Sequence, residues 1–152
     1  MRLYFDTCCY SRFYDDQSQV KIYMESEAIL NIINIARKNN DEIFGSPALD
    51  LEIDQINNFE KREKIKYIYN QTITSKMDYN ENVLNRVNDL SEKTKIRTFD
   101  SFHLSFAENF GVDILFTTDT RFEKACSKIN LKIKVINPIK YLMEVINNDS
   151  DT

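Results

Sequence analysis

Strand-like and helix-like periodicities alternate along almost the whole chain, and that alternation limits what it can fold into. A short apolar run covers about residues 2–5 (RLYF), and a loop with a turn of helix follows through YSRFYDDQ. An amphipathic helix spans about 19–38, with Ile22, Ala28, Ile29, Ile32, Ile33 and Ala36 on one face. Next come a strand at 42–45 (EIFG), a helix opening at Pro47, a helix at 59–72 and a weak strand at 75–78. Two more helices cover 80–93 and 98–110, followed by a strand at 112–117 and a helix at 120–129. A last strand lies at 133–136, and a closing helix starts at Pro138. Strands interleaved with helices make βαβ units. The expected class is therefore α/β: three layers, with a central, mostly parallel sheet flanked by helices. The 152 residues hold only two glycines and two prolines, and no linker or repeat breaks the pattern. One domain is expected over 1–147, with 148–152 as a short polar C-terminal tail.

Two of the apolar runs stop at a carboxylate: RLYF at Asp6 and ILFTT at Asp119. In an open parallel sheet, ligands bind beyond the carboxyl ends of the strands, so both acids can face one crevice. Two more join them. Asp100, in RTFDSFHLSF, opens a helix, and Glu52, in PALDLEIDQI, lies beside the Leu49, Ile53 and Ile56 stripe. Asp50 and Asp54 lie further round that helix. Each acid also has a structural reading. Asp119 is placed to cap a helix, Asp100 complements a helix dipole, and Glu52 suits a solvated face. Asp6 is harder to explain, because an apolar strand gains nothing by ending in an unpaired charge. Clustered carboxylates repel one another and take up protons, and a divalent cation such as Mg²⁺ removes that conflict.

What is missing narrows the chemistry. One histidine leaves little room for a Ser-His-Asp triad or a histidine-rich metal site, and no phosphate-cradling glycine loop is present. Cys8, Cys9 and Cys126 are odd in number, lack CxxC spacing and read as small packing residues, not as a zinc site or disulfide framework. No apolar run approaches the roughly 20 residues of a membrane helix, and the N-terminus lacks signal-peptide character. A cytoplasmic location is expected. The net charge is −4, which taken alone disfavours nucleic acid. The charge is uneven, however. Residues 1–60 carry five Lys/Arg against eleven Asp/Glu, whereas residues 61–152 carry fifteen against thirteen, with clusters at KREKIK and KTKIR. Metal-assisted hydrolysis is the leading class.

Four segments, LYFDTCCYSRFYDD, SPALDLEI, RTFDSFHLSFAE and ILFTTDTRF, span residues 3–122 in a familiar order. Together they resemble the PIN-domain family of metal-dependent nucleases, near its VapC-like and stand-alone bacterial members. The resemblance implies a PIN-like fold and a Mg²⁺- or Mn²⁺-dependent endoribonuclease. Its acids would be Asp6, Glu52, Asp100 and Asp119, with Thr7 and Thr118 as nearby hydroxyls. Hydrolysis by such a site leaves a 5′-phosphate. The partners implied are an RNA substrate, a small antitoxin protein and a second copy of the chain, with no membrane. The alternative is a catalytically inactive PIN-fold module that binds RNA or protein.

Other residues carry two readings each. His103 shares a helix face with Asp100 and is either packed beside the site or directly involved. Arg12 and Arg121 follow site acids and suit either a phosphate or a surface ion pair. Tyr4, Tyr10, Phe13 and Tyr14 suit base stacking or the core. A haloacid-dehalogenase-like phosphatase is disfavoured, since Cys8 stands where its second aspartate belongs. A receiver domain does not need the TTD strand end or the acid at 100.

Overall fold

The computed structural model describes residues 1–150. Its strands are β1 (Arg2–Phe5), β2 (Glu42–Gly45), β3 (Ser75–Lys76), β4 (Ile114–Phe116) and β5 (Lys134–Ile136). Its helices are α1 (Thr7–Ser11), α2 (Val20–Asn39), α3 (Pro47–Asp54), α4 (Phe59–Thr72), α5 (Glu81–Lys93), α6 (Thr98–Asn109), α7 (Thr120–Cys126) and α8 (Pro138–Ser150). A 3₁₀ turn covers Arg12–Tyr14. The expected α/β class holds, and the sheet is wholly parallel among the described residues.

The strand order β3-β2-β1-β4-β5 positions the site. From β1 the chain steps outward through β2 to β3, then returns to lay β4 on the other flank of β1. The direction of growth reverses between β1 and β4, and at such a switch point a crevice opens beyond the strand ends. Leu3, Tyr4 and Phe5 pair with Ile114, Leu115 and Phe116, so both strands end level. The amide of Asp6 continues the ladder by donating to the Phe116 carbonyl at 3.1 Å.

Alternate strand residues point to opposite faces, and both faces are covered. Phe5 stacks on Phe116 at 4.8 Å, and Phe116 meets Tyr141 of α8 at 5.1 Å. Tyr4 points the other way, toward His103 of α6. Tyr4 and Tyr10 are fully buried, which favours the core reading over base stacking; Phe13 and Tyr14 are half-buried against the same core.

Helix ends carry the residues their geometry asks for. Ser46, Asn58 and Asn80 cap α3, α4 and α5 through their side chains. Asn40 closes α2 at φ 55°, a left-handed conformation that Asn tolerates. Gly45 is dictated by a close approach. A Cβ there would lie 2.4 Å from the Tyr69 hydroxyl and 2.7 Å from Ile73 Cδ1.

Element ends depart from expectation by a few residues. β4 begins at Ile114, because Val112 closes α6 onto the Ala107 carbonyl. β3 keeps two residues of the expected four, a short edge strand. α7 stops at Cys126, and turns carry the chain through Ile129. The tail expected at 148–152 starts inside α8, which continues to Ser150; residues 151–152 lie outside the described residues.

Candidate active site

Asp6, Glu52, Asp100 and Asp119 all line one cleft of about 240 Å³, together with Thr7, Cys8, Asp15, Arg97 and His103. Four different elements deliver the acids. Asp6 and Asp119 are the caps that end β1 and β4 and start α1 and α7. Glu52 comes from α3, and Asp100 from the first turn of α6. Capping and facing the cleft are compatible. Asp119 accepts from the Arg121 and Phe122 amides through Oδ1, while its Oδ2 faces Arg97. Asp50 and Asp54 turn aside to pair with Lys76 and Lys66.

A buried chain of hydrogen bonds fixes Glu52. The His103 ring, 1% exposed, places Nε2 at 3.0 Å from Glu52 Oε1 and Nδ1 at 2.5 Å from the Tyr4 hydroxyl. Tyr4 also meets Ser46 Oγ at 2.7 Å, and Ser46 caps α3 by accepting from the Leu49 amide. With the His103 proton on Nε2, every member has a partner. The Thr7 hydroxyl donates to the same Glu52 oxygen. Strand β1, α6 and the start of α3 therefore meet at one carboxylate.

The electrostatics are uneven. Burial pushes the Asp6 carboxyl well above the ordinary range, with Cys8 and the charge of Asp100 adding to the shift. Burial also raises Asp100; Arg97 opposes this, and the like charge of Asp119 reinforces it. Glu52 goes the other way. Burial works against ionisation there, but His103, Thr7 and Arg97 outweigh it and hold the carboxyl below its usual value.

Three contributors were not singled out by sequence reasoning. Arg97, the cap residue of α6, reaches Asp100 Oδ2 with Nε at 3.2 Å and Asp119 Oδ2 with Nη2 at 3.6 Å. Its only sequence signal was membership of KTKIR. Cys8, expected as packing, lines the cleft with Sγ 2.8 Å from Asp6 Oδ1. Its position two residues past a capping acid is the signal that could have found it. Thr117 supplies the hydroxyl near the site, accepting from the Asp119 amide at 3.0 Å and lying 3.5 Å from Cys8 Sγ. The hydroxyl of Thr118, expected in that role, is buried without a hydrogen-bond partner among the described residues.

The two arginines separate. Arg12 is not on the cleft wall; its guanidinium joins Asp15 at 2.8 Å to the fully buried Glu25 at 3.0 Å. Glu25 also accepts from Asn137, so this group ties the loop after α1 to α2 and the start of α8. Arg121 is exposed on α7 and lines an adjoining groove of about 290 Å³ with Lys95, Arg97, Asp100 and Asp119. A larger groove of about 560 Å³ lies beside α5 and α6. Its Arg86 is already paired with Glu108 and Asp89, and it holds none of the four acids.

The cleft's donors are carboxylate oxygens facing a common space, two of them from acids pushed upward by burial. That set fits a hard divalent cation, which would neutralise the acids it joins.

The sequence matches no protein-family model and no curated protein. Solved structures do match. VapBC2 from Rickettsia felis, bound to a DNA fragment from its promoter, aligns at a TM-score of 0.57 and 15% identity, covering 90% of this chain and 98% of that one. VapBC-1 from nontypeable Haemophilus influenzae aligns at a TM-score of 0.56 and 14% identity, covering 91% and 98%. The chain has a PIN-like, VapC-type fold. In this PIN-like fold the cleft lies at the switch point between β1 and β4, and the acids of four dispersed segments converge there.

Proposed function

We propose that this chain is a metal-dependent endoribonuclease of the PIN type. The observation that supports it is the convergence of Asp6, Glu52, Asp100 and Asp119 on one cleft at the switch point of the sheet. These four acids would hold Mg²⁺ or Mn²⁺. When bound, the ion supplies activation of water for in-line attack on a phosphodiester and stabilisation of charge on the phosphoryl and leaving oxygens.

The chain's own residues do the rest. His103 and Thr7 hold Glu52 ionised and aimed into the cleft. Asp6 is fixed by the strand end and by the Cys9 amide at 3.2 Å. Arg97 offsets the charges of Asp100 and Asp119 until a cation or substrate arrives. Lys95 and Arg121 extend a basic wall from the acids, suited to the phosphates on either side of a cut. Replacing His103 therefore acts through Glu52 and not through a proton transferred to RNA.

The VapC-type fold supports a further reading: the nuclease acts as the toxin of a toxin–antitoxin pair. The two solved structures compared above are VapBC structures. An antitoxin would block the cleft by placing a basic side chain among the acids. Pairing of two copies through exposed apolar side chains such as Tyr23, Met24 and Met143 is part of the same reading. A cytoplasmic location is in keeping with it; among the described residues no helix is long and apolar enough to cross a membrane.

The test is incubation of purified protein with a mixed RNA pool in Mg²⁺, Mn²⁺ or EDTA, followed by analysis of product ends. Metal-dependent cleavage leaving 5′-phosphates is expected. Products ending in 2′,3′-cyclic phosphate would overturn the mechanism, because they require attack by the ribose 2′-hydroxyl. Metal binding without cleavage of any RNA would favour the alternative, an inactive binding module.

A further inference from the structure

An acidic cleft repels the anionic strand it is meant to cut. When ionised, the carboxylates of Asp6, Glu52, Asp100 and Asp119 outweigh the charge of one divalent ion, and each RNA phosphate adds to the excess. A cation of the chain has to stand where the phosphate arrives. Among the described residues, one Lys or Arg pairs with any of these acids. It is Arg97, with Nε at 3.2 Å from Asp100 Oδ2 and Nη2 at 3.6 Å from Asp119 Oδ2. Arg97 lines both the cleft and the adjoining basic groove, so it stands where the two meet.

We propose that Arg97 grips the scissile phosphate and stabilises the charge that builds on it during cleavage. The inference rests on the reading that the cleft hydrolyses RNA, and it adds a substrate-contacting catalytic residue to the four acids.

Fold stability does not account for this arginine. Arg97 is the cap residue of α6, and its side chain makes no capping hydrogen bond. Arginine is not among the residues that cap well, and a cation at a helix N-terminus faces the positive end of the dipole. The arginines that tie elements together look different. The side chains of Arg12 and Arg86 are 22% and 28% exposed, whereas that of Arg97 is 72% exposed. Among the described residues, its side chain makes one hydrogen bond, from Nε to Asp100. The hydrogens of Nη1 and Nη2 are left for a phosphate.

A guanidinium suits the task. It stays charged at any working pH, and its planar fork matches two phosphate oxygens at once. As the water oxygen bonds to phosphorus, the bond to O3′ breaks and one water proton ends on O3′. Negative charge grows on the phosphoryl oxygens meanwhile, and donors already aimed there lower the barrier. Arg97 donates hydrogen bonds and breaks no bond of its own. Lys95 and Arg121 line the neighbouring groove without pairing with the acids, so they suit flanking phosphates.

The experiment compares full-length wild type with Arg97→Ser, Arg97→Lys and, as a control in the larger groove beside α5 and α6, Lys132→Ala. Cleavage of single-stranded RNA in Mn²⁺ gives kcat and KM, and melting in EDTA gives stability. Arg97→Ser should lose roughly 10²–10³-fold in kcat, as when one donor to a developing charge is removed. Its melting temperature should match the wild type, because serine gains a helix cap as an exposed ion pair is lost. Arg97→Lys, which keeps the charge without the fork, should recover part of the rate, and Lys132→Ala should keep all of it. RNA binding is measured in an Asp6→Asn background to suppress cleavage. There Arg97→Ser should lower the log–log salt slope by about 0.7. An unchanged kcat, or a rise in KM alone, overturns the catalytic role and leaves the nuclease reading intact. A melting temperature that falls together with activity makes Arg97 a structural residue and also overturns it. If the wild type cuts no RNA, the nuclease reading fails and binding decides. A lowered slope then supports the phosphate contact, and an unchanged slope overturns it.

Discussion

At the scale of single residues, the carboxylates pull in opposite directions. Asp6 and Asp100 sit above their ordinary value of 3.8, so each favours folding while protonated. That contribution is present below the ordinary value and is lost as pH rises through the raised one. Glu52 is lowered from 4.5; its contribution is present above that value and is lost as pH falls through the lowered one. Asp6→Asn isolates the first effect, because Asn caps a helix about as well as Asp. In EDTA, its melting temperature should rise relative to wild type as pH increases from about 4 to about 8, and Mg²⁺ should close or reverse the difference. A difference that ignores both pH and Mg²⁺ in scanning calorimetry would contradict the account. His103→Ala tests the hydrogen-bonded chain behind Glu52. It should cost about 1–3 kcal/mol in urea unfolding, since the Tyr4 hydroxyl loses a buried partner. It should also weaken Mn²⁺ binding by roughly 10- to 100-fold in calorimetry. Unchanged Mn²⁺ affinity would leave His103 a packing residue only.

At the scale of elements, the contact between β2 and α4 depends on a missing Cβ. Gly45→Ala should cost about 1–3 kcal/mol from overpacking against the Tyr69 hydroxyl. Tyr69→Phe loses bonds to Asp50 and the Ser46 amide, yet it removes the atom that an alanine would strike. The double variant should therefore be less destabilised than the sum of the singles in chemical denaturation. Strict additivity would argue that the clash is relieved elsewhere. This scale is also where the sequence was most legible. The stripe of α2, the proline that opens α3 and the acids ending β1 and β4 are local signals, and local signals survive without coordinates. The two-residue length of β3 did not show, because an edge strand ends where its neighbour ends. Arg97 and Cys8 were hidden for another reason. Their importance comes from α6 meeting α7, and from a cap turning its side chain back over its own first turn.

At the scale of the whole molecule, charge is sorted around the switch point: acids at its centre, with Lys95, Arg97 and Arg121 along one wall. Arg121→Ala should lower the salt dependence of single-stranded RNA binding by about 0.7 in log–log slope. Arg12→Ala should leave that slope unchanged and instead destabilise the fold by about 3–5 kcal/mol, since buried Glu25 loses its charged partner. The reverse pattern, in filter binding at several salt concentrations and urea unfolding, would mean the basic wall has been misplaced.

The central claim is that the acids act together on RNA through a divalent ion. The most direct measurement is the rate at which Asp6→Asn cleaves RNA in saturating Mn²⁺, beside wild type, at a temperature well below both melting transitions. Asn preserves the cap and removes the charge, so a loss of roughly 10²–10³-fold or more is predicted with the fold intact. A variant that cleaves at the wild-type rate would contradict the account.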